Sequence, residues 1–186
     1  TNEPAMCVTP WQSGFFFGSD SFYSCNLEGP SVRVKSLASS RPADLPIAIL
    51  PISDRELLLA YQNHARFVSI KGTRTRKQQI EWEQLPLEFC YVAPYLYMVT
   101  MHGLEIMRVQ SYSSSDSAAF HPEKEYVRMN GSGVHITGRR SNGDVHLALT
   151  TASLTELHFI NAAQKRTAAN KRKGSERVPD KRSKMA

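Results

Sequence analysis

The sequence predicts an all-β protein of short strands, and three observations carry that reading. Segments of roughly 4 to 8 residues rich in Val, Ile, Phe, Tyr and Leu alternate with clusters of Gly, Pro, Asn, Asp and Ser. No apolar stripe with a 3.6-residue period competes with them. Ser141-Asn142-Gly143-Asp144 contains Asn-Gly, whose residues both accept the positive φ of a tight hairpin turn.

In chain order, the first strands fall at Met6 to Thr9, Gly14 to Gly18 through the triple Phe, Ser21 to Leu27 after the Ser19-Asp20 turn, and Ser31 to Ser36. A loop over Leu37 to Pro46 follows, and then Ile47 to Ile52, Glu56 to Tyr61, Ala65 to Ile70 after Gln62-Asn63-His64, and Gln79 to Trp82. The next group is Glu88 to Tyr91, Tyr95 to Thr100 after Ala93-Pro94, Gly103 to Val109 after Met101-His102, and Tyr126 to Met129 beyond the Ser-rich loop Ser111 to Glu123. Gly133 to Thr137, Val145 to Thr150 and Leu154 to Ile160 close the series. Tight turns join strands within a sheet, whereas the two long loops fit transitions between sheets. Strands at this rate can make a sandwich, a barrel or several propeller blades. A blade needs four strands in roughly 40 to 45 residues, which the spacing from Ile47 to Met98 matches, so a propeller reading gives the chain three to four blades. A closed ring usually has more. The chain opens on Thr1 with no secretory signal pattern, and it reads as a piece of something longer whose end blades expose apolar flanks.

Charge divides the chain in two. Of 23 basic and 17 acidic residues, nine basic and two acidic ones lie from Lys165 onward, leaving +7 there and −1 in the rest. The basic character thus belongs to the tail, and it does not argue that the folded body binds nucleic acid. Residues 164–186 hold only Val178 and Met185 as sizeable apolar groups, too few to offset ordering entropy, so the expected division is a β domain over 1–163 and a disordered basic tail over 164–186. No apolar run approaches the ~18 residues of a membrane-spanning helix. Cys7, Cys25 and Cys90 stand apart in apolar surroundings, as buried thiols of a reducing compartment do.

Several separated motifs then recur in order. Glu56-Leu-Leu-Leu-Ala-Tyr-Gln-Asn-His-Ala-Arg-Phe-Val68, Lys71-Gly-Thr-Arg-Thr-Arg76, Glu81-Trp-Glu-Gln-Leu-Pro-Leu87 and Phe89-Cys-Tyr-Val-Ala-Pro-Tyr-Leu-Tyr-Met-Val-Thr-Met-His-Gly-Leu-Glu-Ile106 together resemble the citron homology (CNH) domain. Glu3-Pro-Ala-Met-Cys7 and Ser21-Phe-Tyr23 resemble the same domain one blade earlier, closest to the copies carried by citron-type, Rho-linked Ser/Thr kinases. The resemblance implies a seven-bladed β-propeller of four-stranded blades, of which this chain supplies the C-terminal half, the remaining blades lying elsewhere in the parent chain. It implies a protein-interaction module of a kinase acting in cytokinesis at the cleavage furrow and midbody. Its implied partners are a Rho-type small GTPase and contractile-ring or midbody proteins, and its implied location is the cytoplasm.

The residues themselves offer few chemical sites. The chain lacks a P-loop, a Gly-x-Gly-x-x-Gly, a Gly-x-Ser-x-Gly and the kinase catalytic motifs, so no catalytic residue, cofactor or metal is assigned. His135, His146 and His158 fall in similar strand contexts and could share one sheet face, where three imidazoles can hold zinc; without an acidic second-shell pattern they read as a solvated face. Glu81 and Glu83, flanking Trp82, read as exposed carboxylates. Lys71, Arg74, Arg76 and Lys77 read as one basic turn able to meet an acidic partner surface or a phosphate. In the tail, Lys165, Arg166, Lys171, Arg172, Lys173, Lys181 and Arg182 suit a nuclear import address, an anionic lipid or nucleic acid, and phosphorylation at Ser175 or Ser183 would lower that charge.

Overall fold

A computed structural model describes residues 3–38, 44–109, 124–128, 133–140, 142–151 and 153–161. The basic tail and its two serines lie outside the described residues. Among the described residues, fifteen strands form four antiparallel sheets, each a meander in chain order. The first holds β1 (Cys7–Trp11), β2 (Gly14–Gly18), β3 (Phe22–Asn26) and β4 (Arg33–Ala38). The second holds β5 (Pro46–Ser53), β6 (Glu56–Tyr61), β7 (His64–Ser69) and β8 (Arg74–Glu81). The third holds β9 (Glu88–Val92), β10 (Tyr95–Thr100), β11 (Gly103–Arg108) and β12 (Lys124–Arg128). Among the described residues the fourth has three strands, β13 (Gly133–Arg139), β14 (Val145–Thr150) and β15 (Thr155–Ile160). The leading strands β1, β5, β9 and β13 neighbour one another from sheet to sheet. That arrangement is a series of propeller blades, and the sandwich and barrel readings fall away.

Each pair of consecutive sheets encloses its own core. Phe16, Phe22 and Leu37 meet Ile49, Leu57, Leu59, Tyr61 and Val68 between the first two sheets. Leu58, Ala60, Phe67, Ile80 and Trp82 meet Leu96, Met98, Met107 and Val109 between the second and third. Tyr95, Tyr97, Val99, Leu104 and Ile106 meet Val134, Val145, Leu147, Leu149 and Ile160 between the third and fourth. Successive side chains of a strand point to opposite faces, so Leu57, Leu59 and Tyr61 fill one core while Leu58 and Ala60 fill the next. A middle blade therefore needs apolar residues at consecutive positions. This explains the unbroken runs Glu56–Tyr61 and Tyr95–Thr100, both buried along their whole length.

Among the described residues, the end blades lack this second cover. On the first sheet Val8 and Val34 sit opposite in register to Phe17 and Cys25, on the face away from the second sheet, and both are exposed. On the last sheet Leu157 and Phe159 are exposed on the face away from the third. Two apolar flanks on one molecule favour association edge to face. The chain is expected to elute from a sizing column above monomer mass, and Val8→Lys with Phe159→Lys to shift it toward monomer. A wild-type chain that stays monomeric across a wide concentration range contradicts this.

Two sequence expectations need correction. Strand β8 begins at Arg74, five residues before the expected Gln79, so Arg74, Arg76 and Lys77 lie on a strand and only Lys71 remains in the turn. The cause is Arg76, which points inward and pairs with Glu56 on β6, so the charged segment is extended backbone with one side chain buried. The histidines do not share a face. His146 pairs in register with Phe159 and His135 with Ala148, but His158 stands opposite Leu147 on the core-facing side. At the end of the stack the outward face of β15 is apolar, so alternation turns its histidine inward.

Candidate functional site

The basic segment after β7 is built differently at each of its four cations. Ser69 Oγ accepts the backbone N–H of Lys71 at 3.3 Å and of Thr73 at 3.1 Å, which shapes the turn. Gly72 has φ of 90° in that turn, and a Cβ there would stand 2.1 Å from the Leu37 carbonyl oxygen. Only glycine meets both demands. The turn is thereby pressed against β4 of the first blade, with the Lys71 side chain exposed.

Arg74 folds back along its own strand: Nε donates to the Arg76 carbonyl at 2.8 Å, and a terminal nitrogen donates to the Lys77 carbonyl. Arg76 is 7% exposed. Its guanidinium meets Glu56 through Nε to Oε1 at 3.0 Å and Nη2 to Oε2 at 2.5 Å, and it lies 3.8 Å from the Phe67 ring centroid. Thr75 Oγ1 donates to Glu56 Oε1 at 2.6 Å. A two-point, charge-assisted pair stacked on an aromatic ring holds β6, β7 and β8 together. Of the four expected partner contacts, Arg76 is thus a structural group, whereas Lys71 and Lys77 keep exposed ammonium groups.

What the structure brings to Lys71 is a set of residues the sequence reading passed over. Arg33 and Lys35 stand at alternate positions of β4, opposite Asn26 and Ser24 in register, on the face turned toward the second blade. With Lys71, Trp11, Phe16, Leu37 and Ile70 they line a cleft of about 590 Å³ where the first two sheets diverge. The available signal was the alternation Arg33-Val34-Lys35, cationic on one face and apolar on the other; the missing information was which blade that face would meet.

The remaining candidates behave as structure. His135 Nδ1 sits 2.7 Å from Glu88 Oε1, His158 Nε2 is 3.2 Å from Glu156 Oε2, and no group of described residues could hold a metal ion. Burial pushes the thiols of Cys7 and Cys90 up, away from nucleophilic thiolate character. Burial likewise raises the Tyr91 phenol, with the nearby Arg76 opposing and Glu56 reinforcing it. Trp82 is buried and its Nε1 donates to the Gln62 carbonyl at 2.8 Å, while Glu81 and Glu83 are exposed.

One carboxylate carries a pH signature. Hydrogen bonds from Asn161 and Asn142, at 2.9 and 2.7 Å, hold Asp144 below its ordinary value of 3.8, with the charges of Arg140 and His146 adding to this. A carboxylate lowered in the folded state contributes stability above its unfolded pKa and loses it as pH falls through the folded one. Asp144 should therefore titrate below 3.8 in a carbon-detected NMR titration, and Asn161→Ala should move it back toward that value. An Asp144 midpoint at or above the ordinary value would show that these bonds do not form.

Comparison with known proteins gives a consistent picture. A family model described as "CNH domain" matches residues 1–119. Citron Rho-interacting kinase of Homo sapiens is 27% identical over 133 residues, covering 64% of this chain and 7% of that protein. Serine/threonine-protein kinase MRCK alpha of Homo sapiens is 25% identical over 194 residues, covering 94% of this chain and 10% of that protein. Among solved structures, one titled AfRom2 CNH domain superposes with a TM-score of 0.61 at 20% identity, covering 86% of this chain and 51% of that one. The chain thus spans a tenth or less of these two kinases and about half of that structure.

Proposed function

Because the chain belongs to the CNH domain family, we propose that it works as a non-catalytic interaction module of a Rho-linked Ser/Thr kinase, presenting a rigid surface to a Rho-type small GTPase or a contractile-ring scaffold. The family match over residues 1–119 carries this reading. Supporting it, both kinase relatives are far longer than this segment, and one bears the words Rho-interacting in its name. Blades locked by buried cores offer loops and edge strands that need little ordering on binding, which limits the entropic cost of association. In the dividing cell such a module would act in the cytoplasm at the cleavage furrow and midbody.

The test is a pull-down with the full chain and, in parallel, with the complete propeller, against purified Rho-type GTPases loaded with GDP or a non-hydrolysable GTP analogue. Binding that depends on the nucleotide supports the proposal. Absence of binding in both states by the complete propeller removes the named partner. A second reading, contact with nucleic acid through the tail, is favoured by the +7 charge from Lys165 onward. It predicts steep salt dependence that vanishes when residues 164–186 are deleted.

A further inference from the structure

We propose that the cleft between the first two blades is a binding site for an organic phosphate, a ligand carrying adjacent phosphate esters on a compact body. Among the described residues, the cleft walls contain three cations, Arg33, Lys35 and Lys71, and no carboxylate. In a body of net charge about −1, three positive groups around one cavity concentrate a local positive potential there. None of the three forms an ion pair with a described carboxylate.

Donors and shape narrow the class. Ser13, Ser24 and Asn26 add hydroxyls and an amide to the wall, while Trp11, Phe16, Leu37 and Ile70 supply an apolar part. A phosphate ester carries up to two charges and three acceptor oxygens, and so can use several converging donors at once; a carboxylate has one charge and two oxygens. The volume of about 590 Å³ lies within the ordinary range for small-ligand sites. The cleft is also bounded at both ends of β4. The Gln12-Ser13 turn, with Gln12 at a φ of 46°, stands beside the Asn26–Arg33 row, and the Lys71-Gly72 turn is pressed against Leu37. A bounded cleft suits a compact ligand better than an extended peptide, which would need an open groove. The phosphate can come from a soluble small molecule or from a lipid headgroup, and both present the same chemistry.

Calorimetric titration of the full chain with inositol trisphosphate, and flotation with phosphatidylcholine vesicles carrying a small fraction of a phosphoinositide, separate the two sources. Arg33→Glu and Lys35→Glu are each expected to weaken binding about tenfold, as loss of a charge-assisted contact does. Arg108→Glu, on β11 of the third blade and outside the cleft, should leave binding unchanged, and the far-ultraviolet spectrum of each variant checks its fold. Binding of the soluble trisphosphate that is lost with the cleft cations supports the site and assigns a soluble ligand; cleft-dependent binding to vesicles alone supports it and assigns a headgroup. Absence of binding in both arms, or equal weakening by Arg108→Glu, overturns it. None of these outcomes bears on the GTPase pull-down, so the two proposals fail separately.

Discussion

Removing the carboxylate of Glu56 is expected to destabilise the chain by about 3–5 kcal/mol, because Glu56→Ala takes the two-point carboxylate partner away from a charged, buried guanidinium. The pair is 6% and 11% exposed at its two side chains, and Glu56 also accepts from Thr75. Arg76→Ala should cost a comparable amount, since it strands the carboxylate and uncovers the Phe67 ring. The double variant Glu56→Leu with Arg76→Met should recover much of the loss, because a buried pair is compared with apolar groups of similar volume. Arg74→Ala, whose exposed side chain bonds carbonyls of its own strand, should change stability little. Denaturant unfolding of the four variants decides the matter. Equal, small effects at Arg74 and Arg76 would mean that both are surface charges, as the sequence alone suggests.

Adjacent leucines of β6 give the second large effect. Leu58→Ala and Leu59→Ala are each expected to cost about 2–5 kcal/mol, the range for a fully buried leucine whose site cannot collapse. Both side chains are 0% exposed, yet they serve different cores: Leu59 packs with Phe22 and Tyr61 against the first blade, and Leu58 with Phe67 and Leu96 against the third. Had β6 been an ordinary half-buried strand, one of two neighbours would face solvent and its truncation would cost little. The contrast is Val34→Ala on β4, 53% exposed on the uncovered flank, where a near-neutral result is expected. A large penalty at Leu58 with none at Leu59 would mean that β6 is covered on one face only. Because the two truncations open separate cavities, hydrogen exchange should report loosened amides in the first blade for Leu59→Ala and in the third for Leu58→Ala.

The fifteen strands were legible because each is short, β-rich and bounded by turn residues, a signal that needs no distant partner. The stacking of blades was legible in the rate of four strands per roughly 40 to 45 residues, whereas the two-sided burial of Glu56–Tyr61 and Tyr95–Thr100 showed itself only once sheets lay on both faces. Three further features escaped. The start of β8 was hidden because the partner that buries Arg76 lies 20 residues earlier, on another strand. The rule that polar residues face water placed His158 outward with His135 and His146, but the outer face of β15 is the apolar flank of an end blade. The cleft cations Arg33 and Lys35 looked like ordinary solvated residues, since nothing local says that Lys71 approaches them from the next sheet.

The amino-acid order by itself determined the strand content, the tight turns, the apolar runs of the middle blades and the separation of charge between body and tail, because propensity, alternation and turn chemistry act within a few residues. The tertiary structure alone decided which cation is buried, which histidine turns inward and which three positive groups share a cleft. Those outcomes depend on what each sheet packs against, and that neighbour is supplied by residues tens of positions away.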